Sequence, residues 1–315
     1  MPDSPALLVI GECVADVVRL PGAPDRVHPG GSPANVAYGL ARLGRDTTLI
    51  TQLGPDSHGR LIGDHLASAG VRVLTDGSGA PTPAAVVDLD EAGRAAYTFE
   101  ITWTLGPVEP PVGPRHVHTG SVATALEPGA DTVLGLVRSL GADATVSYDP
   151  NVRPALMGDH GRAVRRAESC VALSDVVKAS DEDLRWLYPD EEPGAAAERW
   201  LRSGPSVVLV TRGPRGALAF LPGARVSIGA PPVPVADTVG AGDAFMSGTL
   251  HALASHGLLG ARGRTRLRSL DPAVLTDVLR HAVASAAVTV ARAGALPPDE
   301  DELAAALTST PVPER

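Results

Sequence analysis

Lysine and cysteine are almost absent from this chain of 315 residues, and aromatic residues make up only 3% of it. Lys178 is the single lysine among 27 lysines and arginines, and it follows Val177. A Walker A loop needs Gly-Lys-Ser/Thr, so the P-loop class of nucleotide-binding proteins is excluded. The two cysteines, Cys13 and Cys170, match no spacing of a metal site or a disulfide framework. Their scarcity predicts a protein of the reducing cytoplasm.

Long hydrophobic runs and basic clusters are lacking as well. No stretch of 18 apolar residues occurs, and the run Ala6–Ile10 is too short for a signal peptide. The formal net charge is -9, and the arginines near 262–268 are the only local concentration of positive charge. Nucleic-acid binding requires a strongly positive surface, so neither a nucleic acid nor a membrane is expected as a partner.

Short β-rich runs alternate with helical patterns over most of the chain. This alternation predicts an α/β fold with a largely parallel central sheet and helices on both faces. No repeat or low-complexity linker divides the chain, so residues 1–315 are expected to form one domain. The predicted buried strands are Leu7–Ile10, Thr48–Gln52, Val117–Gly120, Thr145–Asp149, Val176–Ala179 and Val207–Thr211.

Two segments depart from this alternation and predict a small β-sheet that acts as a lid. The segment at about 13–29 is extended and shows no helical pattern. Residues 84–104 are typical of a hairpin with a turn at 91–94, in which Tyr97, Phe99 and Ile101 alternate with polar residues. Unpaired strand edges in such a lid often pair with a second copy, which indicates a homodimer through the lid.

The strongest local signal is Asp-Thr-Val-Gly-Ala-Gly-Asp-Ala-Phe at 237–245. Gly240 and Gly242 open a predicted helix, whose first N–H groups and positive dipole end bind anions. Asp243 places a carboxylate there, which is unfavourable unless it has a chemical task. Removal of a proton from a hydroxyl that attacks a bound phosphoryl group is such a task. A glycine-rich turn before an acidic first helical turn is the structural alternative.

A second glycine-containing helix start is Gly-Gly-Ser-Pro-Ala-Asn-Val-Ala at 30–37. Gly30 and Gly31 allow a ligand to approach the backbone closely, and Pro33 suits the first helical position. Asn35 then lies in the first turn and offers both a donor and an acceptor to that ligand. A plain helix start with an incidental asparagine explains the same residues.

Together these two signatures resemble those of the ribokinase-like (PfkB-type) carbohydrate kinases, and most closely the fructokinases. Four further segments are similar to the family pattern, in order along nearly the whole chain: Gly11-Glu12 with Asp16, Asp-Pro-Asn-Val-Arg at 149–153, Thr-Arg-Gly-Pro-Arg-Gly at 211–216, and 284–297. The resemblance implies a ribokinase-like fold and a kinase that transfers the γ-phosphoryl group of ATP to a sugar hydroxyl, with Mg²⁺. Whether K⁺ is also used is left open.

The resemblance also implies the roles of individual residues. Asp243 matches the catalytic base, and the N–H groups of Gly240, Ala241 and Gly242 match the anion hole. The sugar-binding positions are Asp16, Gly30, Gly31, Asn35 and Arg153, of which Arg153 could instead hold the transferring phosphate and so take part in catalysis. The nucleotide-binding positions are Lys178, Thr211, Gly213, Gly216, Gly240 and Gly242. A solvated lysine, a solvated Asp16 and plain turns at 149–153 and 211–216 are the structural alternatives.

The metal positions carry one departure from the family. Many members have Asn-x-x-Glu where this chain has Ser180 to Asp183. In this register Asp183, with Glu182 beside it, would organise the water around Mg²⁺, and which carboxylate of 181–183 serves is open. Acidic residues that stabilise a helix start are an equal explanation. A monovalent cation would lie at the positions of Asp237, Val239, Arg292 and Gly294.

Several functions remain open at this point. The leading prediction is a kinase of a ketohexose, most simply fructose, because Gly-Gly-Ser-Pro-Ala-Asn and Asp-Pro-Asn-Val-Arg occur together. A 2-keto-3-deoxygluconate kinase is the alternative and would need a cation for the substrate carboxylate. A ribokinase or a nucleoside kinase comes next. A sugar-sensing regulator on the same fold would have lost the base or the anion-hole glycines, which are present here.

Overall fold

A computed structural model describes residues 6–19, 22, 24–89 and 95–309 of the chain. The strands are β1 (Leu7–Ile10), β2 (Val14–Arg19), β3 (Arg26–Gly30), β4 (Thr47–Ile50), β5 (Arg72–Leu74), β6 (Ala84–Leu89), β7 (Ala95–Glu100), β8 (His116–Gly120), β9 (Thr145–Asp149), β10 (Val176–Ser180), β11 (Val207–Thr211), β12 (Ala217–Leu221) and β13 (Ala224–Ile228). The α-helices are α1 (Ser32–Arg42), α2 (Ser57–Ser68), α3 (Gly129–Leu140), α4 (His160–Ala172), α5 (Asp181–Leu187), α6 (Pro193–Leu201), α7 (Ala241–Ser255), α8 (Gly260–Leu267), α9 (Pro272–Val290) and α10 (Glu300–Ser309).

Nine strands form the central sheet in the order β13-β12-β11-β10-β9-β8-β1-β4-β5. The seven strands from β11 to β5 are parallel, and β12 and β13 continue the sheet in the antiparallel direction. β1, β4, β8 and β9 are buried along their whole length, as expected of parallel strands covered on both faces. The predicted largely parallel sheet is confirmed, whereas β12 and β13 were not among the predicted strands.

Helices cover both faces of this sheet. On one face a core of buried side chains includes Leu40 of α1, Leu250 of α7 and Leu279 of α9. On the other face Val171 of α4, Leu184 of α5 and Trp200 of α6 belong to a second core. The helices that pack on the sheet bury their apolar residues against it, which fixes where each of them begins and therefore where its first turn lies.

One described helix, α9, has the length and hydropathy of a membrane span, with a mean hydropathy of 1.3. It is a core helix: Leu275, Val278 and Leu279 are buried against the rest of the protein. Asp277 and Arg280 on the same helix form an ion pair at 3.6 Å. α9 therefore gives no indication of a membrane protein.

The second sheet has four strands in the order β3-β2-β6-β7. β2 pairs in parallel with β6, and the two outer pairs are antiparallel. The predicted small β-sheet is thus present, although its turn at 91–94 lies outside the described residues. Its predicted extent to residue 104 was wrong. The chain leaves the sheet after Glu100, and Trp103 is 1% exposed in the main core, where its Nε1–H donates to the carbonyl of Ala123 at 3.0 Å.

The parallel strands bring their carboxyl ends to one edge of the central sheet. β1 ends there before Glu12, β9 ends at Asp149, and β10 ends at Ser180. The chain passes directly from β1 through Gly11–Cys13 into β2 of the smaller sheet. This edge is where ligands bind in open α/β sheets.

Candidate active site

A cavity of about 380 Å³ lies between the carboxyl edge of the central sheet and the smaller sheet. Its charged lining residues are Glu12, Asp16, Arg153 and Asp243. Of the predicted sugar and anion-hole positions, Asp16, Gly31, Asn35, Arg153, Gly240, Gly242 and Asp243 line it. Phe99 of β7 and Ala85 of β6 line it from the smaller sheet, which therefore forms one wall of the cavity.

Asp243 lies in the first turn of α7 and is 8% exposed. One carboxylate oxygen accepts a hydrogen bond from Ser32 Oγ at 2.6 Å, and the other accepts one from Asn35 Nδ2 at 2.9 Å. Ser32 and Asn35 both belong to the first turn of α1. The two predicted signatures therefore meet at one carboxylate, and the side chain of Asn35, which was predicted to face a ligand, binds Asp243 as well.

The surroundings of Asp243 adjust its basicity. Burial raises the pKa of this carboxyl above its usual value, while the hydrogen bonds from Ser32 and Asn35 and the charges of Lys178 and Arg153 oppose that rise. A raised pKa makes a carboxylate a better proton acceptor near neutral pH. The fixed orientation and raised pKa are what a general base requires.

The start of α7 has the form predicted for an anion hole. Gly240 is the residue before the helix and has a φ of 74°, a left-handed conformation that favours glycine. A Cβ atom on Gly240 would lie 2.5 Å from the Cβ of Ala295, so no side chain fits there. Ala241, Gly242 and Asp243 are the first three helical residues, whose N–H groups have no carbonyl partner within the helix.

Lys178 is buried beside this helix start, which overturns the alternative of a solvated lysine. Its Nζ donates to Asp149 Oδ2 at 2.7 Å, and both side chains are almost completely buried. A Cβ atom placed on Gly242 would lie 3.0 Å from the same Nζ. The chain's single lysine thus places a positive charge next to the predicted anion hole.

Asp149 was not singled out by the sequence analysis as a functional residue. It has no exposed surface, and burial raises its pKa to about 6 against the lowering effect of Lys178. Its other oxygen accepts a hydrogen bond from the N–H of Asn151 at 3.2 Å. Parallel register places Lys178 beside Asp149, since Val177 pairs with Tyr148. A lysine inside an otherwise apolar strand was the signal for such a partner, because buried charges are paired.

Asp16 lies in the middle of β2 with its carboxyl towards the cavity. Burial raises its pKa, and the charges of His28 and Arg153 oppose the rise. A Cβ atom on Gly30 would lie 2.3 Å from Asp16 Oδ2, so the carboxylate occupies the space that the glycine leaves. Gly31, with a φ of 97°, begins α1. Because Gly30 and Gly31 have no side chains, the carboxylate of Asp16 and the start of α1 can lie side by side in the same wall of the cavity.

Within the part of the chain that the structure describes, Arg153 is the one cationic residue in the cavity lining. Its guanidinium donates to Asn151 Oδ1 at 2.8 Å and to the carbonyl of Val152 at 3.1 Å. Burial raises the pKa values of three carboxyls that line the cavity, Glu12, Asp16 and Asp243, and the charge of Arg153 opposes the rise in each. Arg153 is thus a shared counter-charge for the cavity, beyond the turn that 149–153 also forms.

Thr211, Gly213 and Gly216 do not line the cavity. They form the tight connection between β11 and β12, in which the N–H of Arg212 donates to the carbonyl of Gly216 at 2.8 Å. Thr211 pairs with Ser180 in the parallel register, so this turn lies at the same edge of the sheet, next to the strand of Lys178. The connection contains a short 3-10 turn, Gly213–Arg215, and a nucleotide-binding role for it stays a prediction.

The acidic residues at 181–183 are largely occupied by the protein itself. Asp183 accepts the N–H groups of Ser180 and Val152, both at 2.8 Å, and forms a capping box with Ser180. Asp181 binds Arg185 and Arg215. Glu182 is exposed. Among the described residues no group of three or more His, Cys, Asp or Glu side chains could hold a metal ion. A metal here needs oxygen ligands from water or a nucleotide.

The segments predicted to hold a monovalent cation lie together. The carboxylate of Asp237 accepts the N–H of Val239 at 3.0 Å and that of Gly294 at 2.9 Å. The side chain of Arg292 binds Glu302 instead, at 2.6 Å. Arg292 can therefore offer only its carbonyl oxygen to such a site.

Comparisons with known proteins identify the family of this chain. Residues 5–302 match the family described as pfkB family carbohydrate kinase. Fructokinase of Klebsiella pneumoniae is 36% identical over 262 residues, covering 79% of this chain and 85% of that protein.

Two solved structures have the same fold. The fructokinase double mutant of Vibrio cholerae O395, in its fructose-, ADP- and potassium-bound form, matches with a TM-score of 0.80 and 27% identity, covering 96% of this chain and 98% of that one. Fructokinase of Xylella fastidiosa with bound ATP matches with a TM-score of 0.81, 27% identity and the same coverage. The chain belongs to the pfkB family of carbohydrate kinases and is an ATP-dependent sugar kinase of the fructokinase type.

Proposed function

We propose that the protein phosphorylates fructose, or a closely similar ketohexose, with Asp243 as the general base. The observation that carries this proposal is the buried carboxylate of Asp243, fixed by Ser32 and Asn35, at the start of α7 and at the wall of the cavity. A base in this position can take a proton from a hydroxyl that attacks a phosphoryl group held by the helix N–H groups. Fructose bound to a Vibrio cholerae relative of the same fold supports the choice of sugar.

The charges of the cavity favour a neutral sugar. Among the described residues that line the cavity, Glu12, Asp16 and Asp243 contribute carboxyls and Arg153 contributes the one positive charge. The hydroxyl groups of a sugar donate hydrogen bonds to carboxylates. The carboxylate of 2-keto-3-deoxygluconate would instead be repelled by the carboxylates of the cavity. Arg153 is already the counter-charge of the three carboxyls. This composition supports a neutral ketohexose over the keto-acid alternative.

The roles of the chain's own residues follow from their positions. Asp16, Gly31 and Asn35 bind and orient the sugar, and Gly30 leaves the room that the Asp16 carboxylate occupies. Gly240, Ala241 and Gly242 hold the transferring phosphoryl group with their N–H groups, while Arg153 lies within reach of its charge. Asp243 accepts the proton of the attacking hydroxyl.

The nucleotide would bind at the same edge of the sheet, beyond Lys178. Lys178 would approach the phosphates, since its Nζ lies beside Gly242. Thr211, Gly213 and Gly216 would contact the nucleotide at the neighbouring strand end. Relatives solved with ATP and with ADP support a nucleotide site in this fold.

The metal ions are proposed in two places. Mg²⁺ usually keeps several waters and binds through one or two carboxylates together with substrate phosphates. The described residues fit this mode and not an all-protein site, so Mg²⁺ would arrive with ATP, with Asp183 and Glu182 at its water shell. The adjoining segments of Asp237 and Gly294 fit K⁺, which supplies positive charge next to the anion hole and is bound in a relative.

The smaller sheet would act as a lid that closes over the sugar. Phosphoryl transfer requires exclusion of water, which would otherwise accept the phosphoryl group. Phe99 and Ala85 already line the cavity from this sheet. Among the described residues, β3 is an outer strand with no strand on its other side, and we propose the lid as the dimer surface as well.

A coupled ADP-release assay over fructose, tagatose, ribose, 2-keto-3-deoxygluconate and nucleosides tests the substrate. We expect the highest kcat/KM with fructose or tagatose. A tenfold preference for ribose, a nucleoside or the keto acid over every ketohexose would refute the fructose assignment and leave the family unchanged.

A further inference from the structure

We propose that Glu12 is a positioning residue of the sugar kinase reaction: its buried carboxyl, held on the turn Ser121–Ala123, fixes the junction between the central sheet and the lid and so sets the affinity for the sugar. Glu12 is not among the residues given a role above. The proposal rests on the kinase activity of the family and not on fructose as the substrate.

Glu12 lies in the three-residue connection Gly11–Cys13, through which the chain passes from β1 of the central sheet to β2 of the lid. The return connection at Gly31 lies directly against it. A Cβ atom on Gly31 would be 2.5 Å from the carbonyl oxygen of Glu12 and 3.0 Å from the Cα of Cys13. The two crossings are therefore in backbone contact and form one junction, and any movement of the lid relative to the sheet acts on Glu12.

The side chain of Glu12 ties this junction to the central sheet. It is 2% exposed, and its Oε2 accepts a hydrogen bond from the N–H of Ala123 at 3.0 Å. The side chain of Ser121 opposes the rise of the pKa of this carboxyl. Ser121 and Ala123 belong to the short 3-10 turn, Ser121–Thr124, that follows β8. The other side of this turn is held by Trp103, whose Nε1–H donates to the carbonyl of Ala123.

The turn that Glu12 holds is itself part of the cavity wall. Ser121 has a φ of 55°, the left-handed region that residues with a side chain rarely adopt. Such a conformation persists when the surroundings fix it, and the carboxyl of Glu12 supplies that constraint. Glu12 and Ser121 line the cavity together with Asp16 and Asp243. A change at Glu12 therefore moves the wall that the sugar contacts.

Burial of the charged carboxyl of Glu12 destabilises the fold, and the charge of Arg153 in the cavity lining offsets part of this cost. Burial raises the pKa of this carboxyl to about 7, and the charge of Arg153 opposes the rise. The other ionisable groups at the cavity are Asp16 and Asp243, with His28 paired to Asp16 across β2 and β3, and Cys13 adjacent in the chain. A glutamine would accept the same N–H without a buried charge, so a purely structural role does not need the acid.

Two substitutions separate a positioning role from a structural one. Glu12→Gln keeps an acceptor for Ala123, and Ser121→Ala leaves the acid in place. For the sugar with the highest kcat/KM in the panel above, we expect each to raise the sugar KM about tenfold at pH 8, the effect of one hydrogen bond to a charged group. The ATP KM should stay within about twofold, and the double variant should be no weaker than either single variant.

The thermal midpoint and the pH dependence of the sugar KM distinguish a positioning role from a structural one. Glu12→Gln should be at least as stable as the wild type at pH 8, and the change of sugar KM between pH 6 and pH 8 should be reduced in it. Glu168→Gln on the surface and Ser174→Ala, whose Oγ donates to the carbonyl of Cys170, are matched controls expected to change neither KM.

An unchanged sugar KM in both variants would overturn the proposal. So would a lower thermal midpoint with equal rises of both KM values, additive effects in the double variant, or failure of Glu12→Gln to fold.

Discussion

Ser32 Oγ donates a hydrogen bond to Asp243 at 2.6 Å, although 211 positions separate the two residues in the chain. The contact exists because α1 and α7 both begin at the carboxyl edge of the sheet with glycine-rich turns. Asn35 adds a second donor to the same carboxylate. The carboxylate proposed as the base is therefore oriented by α1, whose first turn also lines the cavity.

Replacement of Asp243 by asparagine should remove the base while the helix start remains. The amide still accepts from Ser32, and rotation of the Asn35 amide can present an oxygen to the new NH₂ group. General-base catalysis contributes on the order of 10²–10⁴-fold, so kcat should fall at least about a hundredfold. Sugar KM should change only a few-fold, since the lost interaction belongs to the transition state.

Steady-state kinetics under conditions in which phosphoryl transfer limits the rate check this expectation. Asp277→Asn on the exposed side of α9 is the control. A variant of Asp243 that keeps more than about a tenth of the wild-type kcat would show that another group is the base.

Ser32→Ala should shift the pH dependence of kcat. The hydroxyl stabilises the charged carboxylate, so its loss raises the folded-state pKa of Asp243 further. The base then becomes protonated at a higher pH, and the acidic limb of the kcat profile moves upward by about one to two units. Ser174→Ala should leave the limb in place. A limb that stays at its wild-type position in Ser32→Ala contradicts the role assigned to Ser32.

Gly240→Ala should damage both stability and activity. Alanine at a φ of 74° costs about 1–2 kcal/mol, and its Cβ would press on Ala295. The loops around Asp237 and Gly294 would separate, which displaces the anion-hole N–H groups and lowers kcat. Gly63→Ala in α2 is the matched control: nothing lies within 4 Å of its new Cβ, so stability should rise by about 0.5–1 kcal/mol. Calorimetry and kinetics of both variants show whether the effect is specific to Gly240 or follows any replacement of glycine by alanine.

Lys178→Met should destabilise the protein strongly at neutral pH. The substitution leaves Asp149 buried without its partner, which typically costs about 3–5 kcal/mol. Without Lys178 the pKa of Asp149 rises above about 6, so the carboxyl is neutral at lower pH and the loss should diminish from pH 8 to pH 5.

The double variant Lys178→Met with Asp149→Asn separates stability from function. The double variant should recover much of the thermal midpoint, because neither charge remains. The ATP KM should be raised in the double variant as in Lys178→Met, because both lack the positive charge proposed to approach the phosphates. Full recovery of the ATP KM would mean that Lys178 only neutralises Asp149.

The sequence predicted the elements that repeat a simple pattern. The parallel strands are short apolar runs between helices, and five of the six predicted strands were placed within one residue at each end; Thr48–Gln52 extends two residues past the end of β4. β12 and β13 were not predicted: β12 follows the turn at 211–216 directly, and β13 was missed although Ala224, Val226 and Ile228 alternate with Arg225 and Ser227. Trp103 continues the alternation of apolar residues along the lid strand β7, but the chain leaves the sheet after Glu100. The indole N–H of Trp103 donates to the carbonyl of Ala123.

Most of the predicted sugar and anion-hole positions line the cavity, but the contacts between them were not predicted. Asp243 and Asn35 were recognised one by one, whereas the hydrogen bond between them depends on how two distant helices pack. Ser32 looked like part of a helix start, since a hydroxyl at such a position usually serves the backbone. Asp149 and Lys178 meet through strand register, which the sequence does not state. Pairings across the sheet are set by tertiary packing and were therefore beyond the sequence patterns.

The burial of Lys178 gives the folded protein an unusual chemical surface. Because this is the chain's one lysine and its side chain is 4% exposed, the described surface offers no side-chain amine to acylating reagents. While the fold is intact, no exposed lysine side chain is available to amide-forming labels, amine-coupled sensor chips or lysine-directed crosslinkers. The same reagents would react with the Lys178 side chain once the core opens, so the rate of Lys178 acylation would report local unfolding next to the start of α7.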